Sequence, residues 1–241
     1  MSQSVRVVDF YRQTGQRLID TSRYPERIAE YRRVEDDIAA QTAPFYQVVL
    51  EIGCMDGCLL YPVVRGLALT YVGVDVDAHA IQRFRARIVE EWDGTAIRHA
   101  VALDVSDVGA LSELIVPRRT VAMFPFNSFG NLQSPTGALD SLRAHDVDLW
   151  IGTYQTSPSA TELRRCYYDN ARIGVVDHTE EDCGVLFTSA EGFKSYAYRG
   201  DFLRAQLEGR GYEVEIDDTH ADFSFIHARL REAARSTEER P

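Results

Sequence analysis

The stretch "VVLEIGCMDG", residues 48–57, decides how the rest of the chain is read. Its first half has the Val and Ile content of a buried strand, and Gly53 and Gly57 punctuate the turn that follows. A dinucleotide-binding turn would carry G-x-G-x-x-G so that the backbone can seat a pyrophosphate. Here Met55 stands where the middle glycine is expected, and Asp56 puts a negative charge where phosphate would lie. What remains is E-x-G-x-x-x-G, from Glu51 through Gly53 to Gly57, with the next helix starting near Gly57. The glycines permit a tight turn and a close approach of ligand to backbone, and Asp56 argues that the ligand is not a phosphate.

Outward from this turn, apolar runs alternate with helical patterns. Strands are expected at 47–52, 70–75, 97–103, 120–126 and 147–153, with helices at 57–67, 77–91, 107–115 and 135–145. Short buried strands alternating with helices predict an α/β fold with a parallel sheet covered on both faces. After residue 153 the pattern changes: 158–172 reads as a helix, "IGVVDH" and "GVLFTSAEGFKSYAY" as a β-rich insertion, and 200–210 as a further helix. "YEVEIDD" and "FSFIHARL", joined by the short link 218–221, are expected to pair as an antiparallel hairpin. The expectation is a doubly wound, seven-stranded, mostly parallel sheet whose only reversed strand is "FSFIHARL". Three units follow: a helical cap at 1–44, a ligand-binding domain at 45–230 with its insertion at about 154–199, and a disordered tail at 231–241 that lacks apolar periodicity.

Composition narrows the ligand. With 241 residues, 45% hydrophobic and 26% charged, the chain suits one large domain. A formal net charge of −11, with no basic run to offset it locally, disfavours nucleic acid and points to a small-molecule substrate. No apolar run approaches a membrane span, and "MSQSVRVVDFYRQ" lacks the apolar core of a signal peptide, so a cytoplasmic location without membrane association is expected. Cys54, Cys58, Cys166 and Cys183 form no C-x-x-C pair and the six histidines are scattered, so neither disulfides nor a metal site is expected. Homodimerisation is left open.

The carboxylates sort by strand. Asp75 ends the second strand, 24 residues after Glu51, where an acid can accept from both hydroxyls of a ribose. Asp104, in "ALDVSD", ends the third strand and is placed to accept from an adenine amino group. Taken singly, helix capping explains either aspartate. Together with Gly53 and Gly57, three acids at successive strand ends favour a cationic nucleoside.

"LEIGCMDG", "YVGVDVDAHAI" and "ALDVSD" resemble, in order and spacing, the cofactor motifs of class I S-adenosylmethionine-dependent methyltransferases over roughly residues 45–155. The resemblance implies a Rossmann-like fold and S-adenosylmethionine as substrate or cosubstrate. It assigns Glu51, Gly53, Cys54 and Gly57 to the cofactor, with Asp75 and Val76 at the ribose. It adds Asp104, Val105, Phe126 and Asn127 to the same set.

The reacting end is expected after the fourth strand, where Pro125 halts "FPFNSFGN" and leaves Asn127, Ser128 and Asn131 among phenylalanines. In "RRCYYDN", Tyr167 and Tyr168 point about 100° apart on a helix, so one is expected in the core and the other beside the ligand's sulfonium. Alternation in "EGFKSYAY" puts Phe193, Ser195 and Ala197 on a buried face, where Ser195 needs a partner. In the cap, Tyr11, Tyr24 and Tyr31 lie among charges, and Arg12 and Arg17 could meet a carboxylate. No histidine stands in "FPFNSFGN", directly after the fourth strand, to serve as a general base. "FPFNSFGN", "YYDN" and "FKSYAY" further resemble the methyltransferase-fold synthases that cyclise S-adenosylmethionine to azetidine-2-carboxylate or 1-aminocyclopropane-1-carboxylate and release methylthioadenosine. That resemblance implies Asn131, Tyr168 and Ser195 as the catalytic set holding the aminocarboxypropyl chain. The alternative is a small-molecule N- or O-methyltransferase that releases S-adenosylhomocysteine.

Overall fold

Period-two burial builds the sheet. The computed structural model describes residues 3–91, 94 and 96–231. Along β1 (Val48–Ile52), Val48, Leu50 and Ile52 join one core and Val49 joins the other, so the whole strand is buried. The same two-sided burial holds along β4 (Thr120–Phe124) and β5 (Asp148–Tyr154), as expected of parallel strands covered on both faces. Adding β2 (Thr70–Asp75), β3 (Arg98–Ala102), β9 (Tyr212–Asp217) and β10 (Phe223–Leu230) gives seven strands in the order β3-β2-β1-β4-β5-β10-β9. β10 runs antiparallel to both neighbours while the remaining pairs are parallel. The short link before β10 thus sets its direction as the sequence predicts.

One face of the sheet packs against α1 (Gln3–Leu18), α2 (Glu26–Thr42), α4 (Ala78–Glu91) and α6 (Pro158–Ala171) through side chains such as Phe10, Ile28, Phe84 and Leu163. The other packs against α5 (Pro135–Ala144) and α7 (Gly200–Glu208) through Leu139, Leu142, Leu203 and Leu207. Between α6 and α7, β6 (Val176–Glu181), β7 (Gly184–Ser189) and β8 (Lys194–Tyr198) form a separate antiparallel sheet. Phe193, Ser195 and Ala197 are its buried face, matching the alternation read from sequence.

Two expected helices differ. The 57–67 segment winds into a single turn, α3 (Tyr61–Val64), because Gly57 takes a left-handed φ of 76° and the helical stretch begins only at Pro62's turn. The 107–115 segment is a 3-10 stretch, Val105–Leu111, interrupted by a non-helical Asp107. From 232 onward, the expected tail lies outside the described residues. Among the described residues, no helix is long and apolar enough to cross a membrane.

Candidate functional site

Strand order dictates the layout of the pocket. The carboxyl ends of β3, β2, β1, β4 and β5 lie side by side and deliver, in that order, Asp104, Asp75, Gly53, Asn127 with Asn131, and Tyr154 to one cavity wall. Tyr11 of α1, Tyr167 and Tyr168 of α6, and Phe193 and Ser195 beside and in β8 supply the facing wall. The pocket therefore has a carboxylate end at β2 and β3 and an aromatic, uncharged polar end at β4, β5 and the insertion.

At the carboxylate end, Asp75 Oδ2 accepts from Met55 N and Oδ1 from Asp77 N, each at 2.9 Å. Burial raises the Asp75 pKa, against these backbone bonds, which lower it. Met55 occupies the left-handed region, φ 49°, where glycine is the usual residue, and the Asp75 bond holds it there. The Met55 side chain reaches α1: a Cβ on Gly15 would lie 2.8 Å from its terminal methyl, so the small residue admits it. Gln16 donates to Asp56 at 2.8 Å and Arg12 lies 3.9 Å from Asp77, so α1 is tied to the turn at three points. Asp104 both caps, accepting from Ser106 N at 2.9 Å, and lines the pocket with Val76 and Val105. Capping and a place on the pocket wall coexist there.

Glu51, Cys54 and Gly57 lie behind the wall rather than on it. Period two turns Glu51 toward the α2–α4 face, where it accepts from Leu60 N at 3.2 Å and from the Tyr71 hydroxyl. Burial pushes its pKa up to about 7. Cys54 is fully buried, and a Cβ at Gly57 would meet the Phe84 ring at 2.1 Å. These three shape the turn from behind the pocket wall.

At the other end, Pro125 terminates β4 and the chain takes two consecutive left-handed residues, Phe126 (φ 50°) and Asn127 (φ 60°). Such a pair is costly, on the order of 1–3 kcal/mol per residue, and needs outside support. Glu35, fully buried on α2, accepts from Phe126 N at 2.7 Å and pairs with Arg32, whose guanidinium lies 5.5 Å from the Phe126 ring centre. Asn127 is locked by four groups. Its Nδ2 donates to Tyr196 O at 2.9 Å and Ser195 Oγ at 3.0 Å, while Oδ1 accepts from Thr153 Oγ1 at 2.7 Å. Its backbone N–H donates to Gly152 O at 3.0 Å. Asn127 thus lines the pocket but spends its amide on protein. Gly130 is required by the same junction, since a Cβ there would lie 2.0 Å from Tyr196 O.

Tyr167 and Tyr168 both line the pocket, their ring centres 5.2 Å apart, where one had been expected in the core. The curvature of the wall, closed by α1, lets adjacent helical positions face it. They differ in the hydroxyl: Tyr167 donates to Leu18 O and fastens α1, whereas Tyr168 sits 3.3 Å from Ser195 Oγ and accepts from Arg164 Nε at 3.3 Å. Burial raises the pKa of Tyr11, Tyr154 and Tyr167, so none of these is a phenolate at neutral pH. Four polar atoms on the wall are buried without a hydrogen-bond partner among the described residues: Tyr11 OH, Ser128 Oγ, Asn131 Oδ1 and Tyr154 OH. Unsatisfied buried groups are rare and costly, and four around one cavity fit a polar ligand.

Sequence reasoning did not single out Glu35, Tyr154 or Arg164. Tyr154 is the last residue of a buried strand, and Arg164 stands four residues before Tyr168 on one helical face; those positions were the available signal. Among the described residues, no cluster of His, Cys, Asp and Glu could hold a metal ion.

Solved S-adenosylmethionine-dependent methyltransferases share this fold. The magnesium protoporphyrin IX methyltransferase ChlM from Synechocystis PCC 6803, with bound S-adenosylhomocysteine, superposes with a TM-score of 0.61 at 12% identity, over 95% of this chain and 100% of that one. The glycopeptide N-methyltransferase MtfA, complexed with S-adenosylmethionine, gives 0.54 at 15% identity over 82% and 93%. A methyltransferase from Aquifex aeolicus gives 0.51 at 14% identity over 81% and 91%. At these identities the likeness is one of fold. No family model matches the chain, and no curated protein matches it in sequence.

Proposed function

We propose that this chain binds S-adenosylmethionine in the pocket along the β3–β5 edge and uses it in a small-molecule reaction. The observation that carries the reading is the pairing of Asp75 and Asp104 at adjacent strand ends with four unpartnered polar atoms at the other end of the same cavity. Asp75 would take the ribose diol, Asp104, Val76 and Val105 the adenine, and Asn131, Tyr168 and Ser195 the aminocarboxypropyl chain. Tyr11 lines the same pocket, and its ring suits a sulfonium. The fold neighbours named above are methyltransferases, which supports methyl transfer to a small acceptor. The walls supply no histidine, and their carboxylates gather at the nucleoside end. An acceptor that arrives as a neutral amine suits such a site, because proximity alone can drive its attack.

A second reading has its own observation. The groups nearest the aminocarboxypropyl chain are uncharged, so no carboxylate would hold its amine protonated. A neutral amine there can displace methylthioadenosine from Cγ: the N–C bond forms as the C–S bond breaks, sulfur keeps the electron pair, and nitrogen releases a proton to water. That closes a four-membered ring. The three-membered alternative needs a base for the Cα proton. Incubating the protein with S-adenosylmethionine alone separates the readings. Methylthioadenosine above the spontaneous background selects cyclisation; S-adenosylhomocysteine formed only on adding a small acceptor selects methyl transfer. Neither product, with no saturable binding, would overturn the reading as a whole.

A further inference from the structure

Arg164 is an arginine with no surface at all, and among the described residues no Asp or Glu pairs with it. Its guanidinium is boxed by the rings of Phe187 at 4.4 Å, Tyr154 at 5.2 Å and Tyr168 at 5.9 Å. Its donors go to Val185 O at 3.2 Å, Ser195 O at 2.8 Å, Ser195 Oγ at 3.2 Å and Tyr168 OH at 3.3 Å. Carbonyls and aromatic faces solvate a cation, but they leave its net charge in place. A buried, uncompensated charge is among the most expensive features a core can hold.

Hydrogen-bond bookkeeping shows where that charge is delivered. The Asn127 amide has a fixed orientation, since its Nδ2 faces Tyr196 O, which can only accept. Ser195 Oγ therefore accepts from Asn127 Nδ2 and from Arg164 Nη2, which fills both of its lone pairs. Tyr168 OH accepts from Arg164 Nε as well. The two hydroxyls are left as donors, and at most one of their protons can be spent between them. Both residues line the cavity, so the unspent proton is available to a ligand there, backed by a positive charge. Across from them Asn131 offers a buried carbonyl oxygen, Oδ1, which can only accept. One end of the pocket thus presents a charged donor set and an isolated acceptor, the complement of a carboxylate beside an amine.

We infer that Arg164, acting through Ser195 and Tyr168, is the positioning residue that makes the pocket select ligands with a free α-carboxylate, and that Asn131 Oδ1 takes the neighbouring amine. The inference rests on the S-adenosylmethionine reading above and specifies it: nucleosides whose side chain ends in an amine alone are rejected. It also assigns Ser195 to the carboxylate and leaves the amine free of any donor that would compete for its lone pair.

The test compares two unreactive ligands by calorimetry, S-adenosylhomocysteine and its decarboxylated counterpart, which differ only in the carboxylate. Wild-type protein should prefer the former by about 10- to 150-fold, the range for hydrogen bonds to a charged group. Arg164→Met should bring that ratio close to one by weakening S-adenosylhomocysteine alone, and Arg164→Lys, which keeps the charge, should restore part of it. A merely structural role would weaken both ligands equally and preserve the ratio, which would overturn the inference. Equal binding of the two ligands to wild-type protein would also overturn it while leaving the nucleoside site standing, and this outcome is readable even where a variant does not fold. Binding of neither would remove the inference together with the reading beneath it.

Discussion

Asp75→Ala deletes one carboxylate with two duties. Toward the pocket, which it lines, the proposed function makes it the acceptor for a ribose diol, and hydrogen bonds to a charged group contribute about 1.5–3 kcal/mol. Toward the protein it holds Met55 N and Asp77 N at 2.9 Å each, and the first of these stabilises a left-handed Met55 at φ 49°. The substitution should therefore raise the Kd for S-adenosylhomocysteine by about 10- to 150-fold. It should also lower stability by about 1–3 kcal/mol through the freed amides. Isothermal calorimetry reads the first effect, provided it is run well below the variant's melting temperature, and denaturant unfolding reads the second. A pH series adds a signature. Burial raises the folded-state pKa of Asp75, so the ionised acceptor is lost as pH falls through a value above the ordinary aspartate range. Wild-type affinity should fall over that window, and the alanine variant should not share the fall. A folded Asp75→Ala protein with unchanged Kd would refute the assignment of Asp75 to the ligand.

Glu51 gives a stability prediction with the opposite location and a defined sign. Its folded pKa is pushed up from 4.5 to about 7, so between those values the unfolded chain releases a proton that the folded one keeps. Its contribution is complete below 4.5 and is lost as pH rises to about 7, by on the order of 3 kcal/mol at about 1.36 kcal/mol per pH unit. Glu51→Gln should remove that slope in urea titrations at pH 5 to 8; an identical slope in variant and wild type would contradict it. Gly130→Ala should cost about 1–3 kcal/mol, because the added Cβ meets Tyr196 O at 2.0 Å, and a neutral melting shift would show that β8 can yield. Asn131→Ala should lower kcat more than it raises the Kd for S-adenosylhomocysteine if its unpartnered Oδ1 orients the reacting chain as proposed; a change in Kd alone would make it a binding group. Tyr168→Phe keeps the ring and deletes the hydroxyl, and should weaken S-adenosylhomocysteine about 10-fold; full retention of affinity would leave Tyr168 only a cation–π role.

Much of the scaffold was legible because it obeys short-range rules. "TYVGVD" is β2 to the residue, and the link ahead of "FSFIHARL" reverses β10. Pro125 stops β4 where the missing N–H would break the ladder. The candidate pocket was legible where strand ends announce it, in that Asp75, Asp104 and the Asn127–Asn131 turn all line one cavity. It was opaque where tertiary packing overrides a residue's usual habit. Arginine is ordinarily a surface residue, and nothing in "RRCYYDN" tells Arg164, fully buried, from the half-exposed Arg165 beside it. Glu35 lies in a charged stretch of α2 that reads as solvated, yet it braces Phe126 N, 91 residues away. Met55 looked like a missing glycine; its meaning came only with Gly15, which receives its side chain from the cap helix. The 57–67 helix failed for the converse reason, a left-handed Gly57 that spacing alone does not reveal.

A crystal structure of the complex with S-adenosylhomocysteine tests the central claim most directly. The account predicts the ribose diol on Asp75, the adenine beside Asp104 and Val105, the amine on Asn131 Oδ1 and the carboxylate at the hydroxyls of Ser195 and Tyr168. A nucleoside bound in the reverse direction, or no nucleoside between these walls at saturating ligand, would contradict it.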